Sequence, residues 1–326
     1  MLDKSGKSQA RASVKNYFFF GLKLVVSAGL VWLLMASVDV TETLARLKNA
    51  HWPYLLIAAA VLFTQTVTNT LRWKAVLEAI GRPLLFSKVY KIVFIGLFFN
   101  QTLPSAVGGD AVRIYLTSKS GTGVGKAANS VLIERVVTVL VLVLLVAFTQ
   151  PFLLSRIDDT PAKWVFPALA VAAISGTVFL MFLDKLPENL RRWKVIGAIA
   201  ALGEDTRALF KKTRQSFWCL IWSLYGHINL SLIAFLIGLS LGLDISILDC
   251  LVLVPPVILV MTIPISIAGW GVREGAMVVA FGMIGIERVD ALSLSIIFGL
   301  LTIAIALPGG LVWLLSTERK SRPDSA

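Results

Sequence analysis

The stretch NQTLPSAVGGDAVRIYL, Asn100 to Leu116, sets a proline, a glycine pair, an aspartate and an arginine directly behind the apolar run IVFIGLFF. A second stretch, IPISIAGWGVREGA from Ile263, carries Arg273 and Glu274 in a similar setting. Between them, SVLIERVVTVL places Glu134 and Arg135 inside an apolar segment. These residue types suit a phosphate. Glycines ahead of a helix let backbone N–H groups face a ligand, and a helix N-terminus favours an anion. Guanidinium groups hold phosphate through bidentate hydrogen bonds. Each ionised group near a bilayer centre costs at least ~2.5–3.5 kcal/mol, so these side chains require partners or water.

Each candidate also has a plainer structural role open to it. Asp110 either caps a short helix starting at Ala111 or contacts a ligand, and the two roles are compatible. Arg113 either faces inward or returns to the membrane surface and snorkels, with Lys119 and Lys126 following it. Arg273 and Glu274 form an internal salt bridge or lie at the outer interface. Glu134 and Arg135 lock helix to hairpin or touch a ligand. Adjacent helical positions point in different directions, so these two are expected to have different partners. His227 and Asn229 add polarity to a later apolar segment, and hydrogen-bonded packing is the simpler role for His227.

Other patterns fall away. SKSGTGVGKAA imitates a phosphate loop, but Ser120 stands where the first glycine is required and Ala127 follows Lys126. Asp158 and Asp159 form an acidic pair in a short segment, where solvation is sufficient explanation. No zinc pattern, nucleophile elbow or dinucleotide fingerprint is present, and no metal or cofactor is expected. Cys219 and Cys250 lie in or beside apolar segments without ligand spacing and read as small packing residues.

The elements that must position these residues are membrane helices. The chain has 326 residues, 57% of them hydrophobic and 15% charged, with mean hydropathy +0.81; soluble domains carry about 25% charged residues. Apolar runs of spanning length recur from end to end, which makes an all-α polytopic membrane protein. The net charge of +12 gathers in short basic segments beside apolar runs, the pattern that orients helices in a bilayer rather than one that binds nucleic acid. Anionic headgroups are the natural electrostatic partners. Lys4, Lys7, Arg11 and Lys15 precede an apolar stretch too long for a cleavable signal, so an uncleaved first helix is expected.

Spanning helices are expected at roughly 17–38, 53–71, 127–150, 164–184, 216–241 and 291–316. Two more apolar segments are interrupted: 84–124 at Pro104 and Gly108-Gly109, and 246–288 at Pro255-Pro256, Pro264, Gly269 and Gly271. The basic stretch 185–215, the N-terminus, the region Arg72 to Lys91 and the tail with Arg319, Lys320 and Arg322 should share the cytoplasmic face. That holds only if 84–124 enters from the cytoplasm and returns to it, while 246–288 starts and finishes outside. LPSAVGGDAVR (103–113) aligns without gaps on IPISIAGWGVR (263–273), matching Pro104, Gly109, Val112 and Arg113 to Pro264, Gly269, Val272 and Arg273. One membrane domain over 1–326 follows, built of pseudo-repeats at about 1–160 and 161–326 with the second inverted. In transporters of that plan, interrupted segments at matching positions point to the binding site.

Those residues resemble the lysylphosphatidylglycerol synthase transmembrane-region family of bacterial and archaeal membrane proteins, also described as flippase-like. The resemblance rests on FFNQTLPSAVGGDAVR, SVLIERVVTVLVL and IPISIAGWGVREGA. Asn100, Pro104, Gly108, Gly109, Asp110, Arg113, Glu134, Arg135, Pro264, Gly269, Gly271 and Glu274 stand at the family's motif positions. It implies a membrane domain that can be fused to an aminoacyltransferase and that flips aminoacylated phosphatidylglycerol. The stretch 185–215 is too short for such a transferase, so synthase activity is not carried over.

The reading is a lipid translocator of the bacterial cytoplasmic membrane with both termini cytoplasmic and no catalytic role. A phospholipid or other lipid with an anionic or zwitterionic headgroup would enter a cavity between the hairpins, lined by those residues other than Pro264, together with Arg273. A membrane-embedded transferase using Asp110 or Glu134 as base or metal ligand, and a non-catalytic partner of a lipid-modifying enzyme, are the alternatives.

Overall fold

The computed structural model describes residues 48–102, 108–154, 164–185, 187–263 and 269–316. These residues are helical and contain no strand. The expected span 17–38 and the hairpin tips at Pro104 and Pro264 lie outside them. In chain order the helices are α1 (Trp52–Ala79), α2 (Phe86–Thr102), α3 (Gly108–Thr117), α4 (Val124–Leu154), α5 (Val165–Phe182), α6 (Glu188–Arg191), α7 (Lys194–Lys211), α8 (Thr213–Ser240), α9 (Ile247–Met261), α10 (Val272–Gly282) and α11 (Arg288–Leu315). α1, α4, α5 (extended by a 3₁₀ turn), α8 and α11 are long and apolar enough to cross a bilayer. They correspond to five of the six expected spans.

The interrupted segments form two helical hairpins, α2–α3 and α9–α10. Their second arms have 10 and 11 residues, which at 1.5 Å per residue reach only ~15–17 Å of a ~30 Å hydrocarbon core. α2 packs on α1, α3 and α11, and α9 packs on α8, α10 and α4. α3 rests on α4, and α10 rests on α11. α1 and α8 lie against each other along their lengths, tied by the three acceptors that Asn229 Nδ2 finds at the Val61 carbonyl, Thr64 and Gln65. His227, on the same helix, bonds through Nε2 to the Thr138 carbonyl, the packing role expected of it.

Three local expectations change. The sequence suggests a break at Pro255-Pro256, but α9 runs through both and ends at Met261. A proline in a helix strands a carbonyl, and membrane helices tolerate this where surrounding protein holds the backbone; here Val254, Pro255 and Val257 are buried in the packed interior. α1 continues past residue 71 to Ala79, because Arg72, which reads as an interfacial charge, turns inward. The polar stretch 185–215 contains α7, whose residues Ala200, Gly203, Thr206 and Leu209 recur every third position along a buried face. α7 is fastened beneath α4 and α5. Asp205 accepts from Lys126 and from Asn129 Nδ2 at 2.7 Å, while Arg207 donates to the Met181 carbonyl and Asp184.

Glycines set the closest helix contacts. A Cβ on Gly109 would stand 2.1 Å from the Gly96 carbonyl oxygen, so only glycine lets α3 lie this close to α2. A Cβ on Gly309 would meet the Phe94 carbonyl oxygen at 2.2 Å, which seats α2 against α11 in the same way. Small residues at such crossings are the usual means of close helix packing in lipid. Gly109→Ala is therefore expected to cost about 1–3 kcal/mol of stability through overpacking. Gly125→Ala, whose added methyl meets nothing within 4 Å, should leave the melting temperature in detergent unchanged or slightly raised. Equal melting temperatures for the two variants would refute the close contact.

Candidate functional site

α1, α3 and α4 bring five ionised side chains together. Glu134 on α4 is buried and accepts from two arginines. Arg72 reaches its Oε1 from α1 at 2.8 Å through Nε and 2.5 Å through Nη2, and Arg113 reaches its Oε2 from α3 at 2.5 Å. Asp110 takes Arg113 Nη1 on Oδ1 at 3.1 Å and Arg135 Nε on Oδ2 at 2.8 Å. The Arg113 guanidinium carbon also lies 4.1 Å from the Trp73 ring centroid, and Trp73 Nε1 donates to Ser130 Oγ at 3.1 Å. Adjacent residues 134 and 135 thus serve different partners, as their helical directions require.

Asp110 lies in the first turn of a helix that begins at Gly108, not at the cap of one beginning at Ala111. Its carboxylate is taken by the two arginines. Asn100 does the positioning of the hairpin: its Oδ1 accepts from Gly109 N at 2.9 Å. Gly108 and Gly109 are buried at the start of α3. Arg113 is buried too, rather than snorkelling, and its Nε finds no hydrogen-bond partner among the described residues.

In the second hairpin Arg273 and Glu274 form the internal salt bridge, at 2.6 Å. Glu274 also accepts from Gly271 N at 2.5 Å, closing the start of α10, and Ser295 of α11 bonds both side chains. Gly269 and Gly271 have φ of +80° and +83°, the left-handed region that glycine enters without strain. Arg273 stacks on Trp270 at 4.7 Å, and a Cβ on Gly299 would meet its guanidinium at 2.2 Å. Arg113 and Arg273 are each bonded within their own half. Sequence reasoning missed Arg72, Trp73, Ser130 and Ser295 as site residues, because their partners lie on other helices.

Among the described residues the first cluster sets three guanidinium groups against two carboxylates, leaving one positive charge. That excess has an outlet. The Arg135 side chain is 50% exposed and lines an apolar cleft of about 490 Å³ between α4 and α5, walled by Val139, Leu140, Ala173, Gly176 and Leu180. Its Nη1 and Nη2 bond to none of the described residues. A cation pinned on one side by Asp110 and open to an apolar trough on the other can take an anion that carries a hydrocarbon chain.

Residues 21–310 match the lysylphosphatidylglycerol synthase TM region family. The chain belongs to that family. A UPF0104 membrane protein of Pyrococcus horikoshii is 25% identical to it, across 89% of this chain and 95% of that one. A UPF0104 membrane protein of Methanothermobacter thermautotrophicus is 23% identical across 81% and 84%. A third, from Methanocaldococcus jannaschii, is 30% identical over 115 residues, about a third of each chain. These relatives are archaeal, so membership establishes a multi-pass membrane protein without restricting it to bacteria.

Removing one partner of a buried ion pair strands the other charge at a cost of about 3–5 kcal/mol. Glu134→Gln strands two arginines and should lower thermal stability in detergent by at least that amount. Arg135→Gln leaves Asp110 bonded to Arg113 and removes the excess charge, so it should cost clearly less than Glu134→Gln. A Glu134→Gln protein as stable as the wild type would show that the carboxylate does not hold the cluster.

Proposed function

We propose that this protein binds a phosphate-bearing membrane lipid and moves its headgroup across the bilayer. The observation that carries this reading is the one positive charge left uncompensated among the described residues of the cluster, delivered by Arg135 to the apolar cleft between α4 and α5. A singly charged phosphodiester at Arg135 neutralises the cluster, and its acyl chain lies along Val139, Leu140 and Gly176. Arg72 and Glu134 hold Arg113, Arg113 holds Asp110, and Asp110 orients Arg135. The excess is small because each further unpaired charge in a low-dielectric site would cost several kcal/mol.

The two halves are repeats in this reading, and the packing supports it. Exchanging α1 with α8, α2 with α9, α3 with α10 and α4 with α11 leaves the main contacts among these eight helices unchanged. The short second arms of both hairpins support re-entry from opposite faces, and the basic segments support cytoplasmic termini in a cytoplasmic membrane. Movement of one half against the other would then expose the headgroup to each side in turn.

Reconstitution into liposomes with headgroup-labelled phosphatidylglycerol, phosphatidylethanolamine and aminoacylated phosphatidylglycerol tests the proposal. The wild type should move at least one lipid faster than protein-free vesicles. Arg135→Ala removes a charge-assisted contact and should slow it by about tenfold or more. Gly176→Leu, whose Cβ would meet nothing within 4 Å, narrows the cleft and should slow lipid movement while the melting temperature holds. No movement above protein-free vesicles for any lipid would overturn the reading. For orientation, cysteines replacing Ser120 and Glu287, in a chain with Cys219 and Cys250 changed to alanine, should be labelled from opposite faces.

A further inference from the structure

α1 ends and α8 begins on the same side of the molecule, and a second groove of about 450 Å³ opens between them, away from the ion-pair network. Leu71, Lys74, Ala75 and Glu78 line it from α1; Arg214, Gln215, Trp218 and Trp222 line it from α8. Arg72 and Trp73, in the same turn of α1, serve the ion-pair network instead. The helix thus separates two polar sites.

The groove is graded from charged to apolar along its length. Glu78 and Arg214 stand near the helix ends, and Leu71 and Trp222 lie about two turns deeper, some ~10–12 Å away at helical rise. Glu78 is already paired with Lys74, while exposed Arg214 forms no ion pair with any described residue, so one positive charge is left over. Lys212 bonds the Glu78 carbonyl oxygen at 3.2 Å and adds a second cation at the mouth. Trp218 and Trp222 stack with centroids 6.0 Å apart and planes at 23°, giving one flat apolar wall. Neither indole N–H donates to a described residue.

We propose that this groove is a second binding site, distinct from the Arg135 cleft, for the phosphate ester of an amphiphile. The phosphate oxygens sit on Arg214 and Lys74, and the chain lies over Leu71 and the indole wall. The gradient argues for an amphiphile because a water-soluble phosphate ester would leave the Leu71–Trp222 end unfilled. The cationic mouth draws anionic headgroups from the adjoining leaflet. The same phosphate chemistry could come from a soluble ester, and the test separates the sources.

The purified protein, in an uncharged detergent, is titrated with dioctanoyl phosphatidylglycerol, glycerol phosphate or dioctanoylglycerol, and bound molecules are counted by native mass spectrometry. The wild type should retain one phosphatidylglycerol more than Arg214→Ala, whose affinity at this site should fall about tenfold. Trp222→Ala should weaken the same site, and Arg214→Lys should retain most of it. Arg135→Ala should leave this site filled, so failure of the Arg135 reading and failure of this one are told apart. Glycerol phosphate binding as tightly as the lipid would keep the phosphate site and make its ligand soluble. Equal retention by wild type and Arg214→Ala, or dioctanoylglycerol binding as well as the phospholipid, would overturn the proposal.

Discussion

Glu134 between Arg72 and Arg113 is the contact on which the first half of the molecule depends. A carboxylate at that depth survives only with its charge matched and its oxygens occupied, and both oxygens are taken by guanidinium groups from different helices. The bond fixes the register of α1, α3 and α4 together. Through Arg113 it fixes Asp110, and through Asp110 the direction of Arg135. The cluster is therefore a chain of constraints with one end anchored in the protein interior and the other open to the α4–α5 cleft.

The second half meets the same electrostatic demand differently. Arg273 finds its carboxylate on the next residue, and Glu274 spends its remaining capacity on Gly271 N and Ser295. One cation meets one anion, so the set is neutral. Where the first cluster presents Arg135 of α4 to a cleft, the second closes on itself. Arg113 and Arg273 thus have separate tasks, Arg113 joining α3 to α4 and Arg273 holding α10 to α11.

Glycine placement explains how short hairpin arms remain packed. Gly96 and Gly109 bring α2 and α3 to backbone contact, and Gly309 and Gly310 seat α2 on α11. Without a strong hydrophobic drive between helices in lipid, close van der Waals contact of this kind supplies much of the association. α7 completes the frame from the basic side, because Asp205 and Arg207 tie it to both walls of the cleft.

The sequence by itself determined that this is a polytopic helical membrane protein, where five of its long helices lie, and that two apolar segments are interrupted near Gly108-Gly109 and Gly269–Gly271. Those features are local: they follow from runs of apolar residues and from glycines whose backbone freedom is intrinsic. It also determined that Asp110, Arg113, Glu134, Arg135, Arg273 and Glu274 needed partners, since burial in lipid forces the requirement whatever the fold. Only the tertiary structure decided who the partners are. Arg72 lies 62 residues from Glu134 in the chain, and nothing local separates an inward-turned arginine from one that marks the membrane surface. The diproline in α9 and the docking of α7 were hidden for the same reason: each depends on what neighbouring helices place beside it, and that is settled only when the chain has packed.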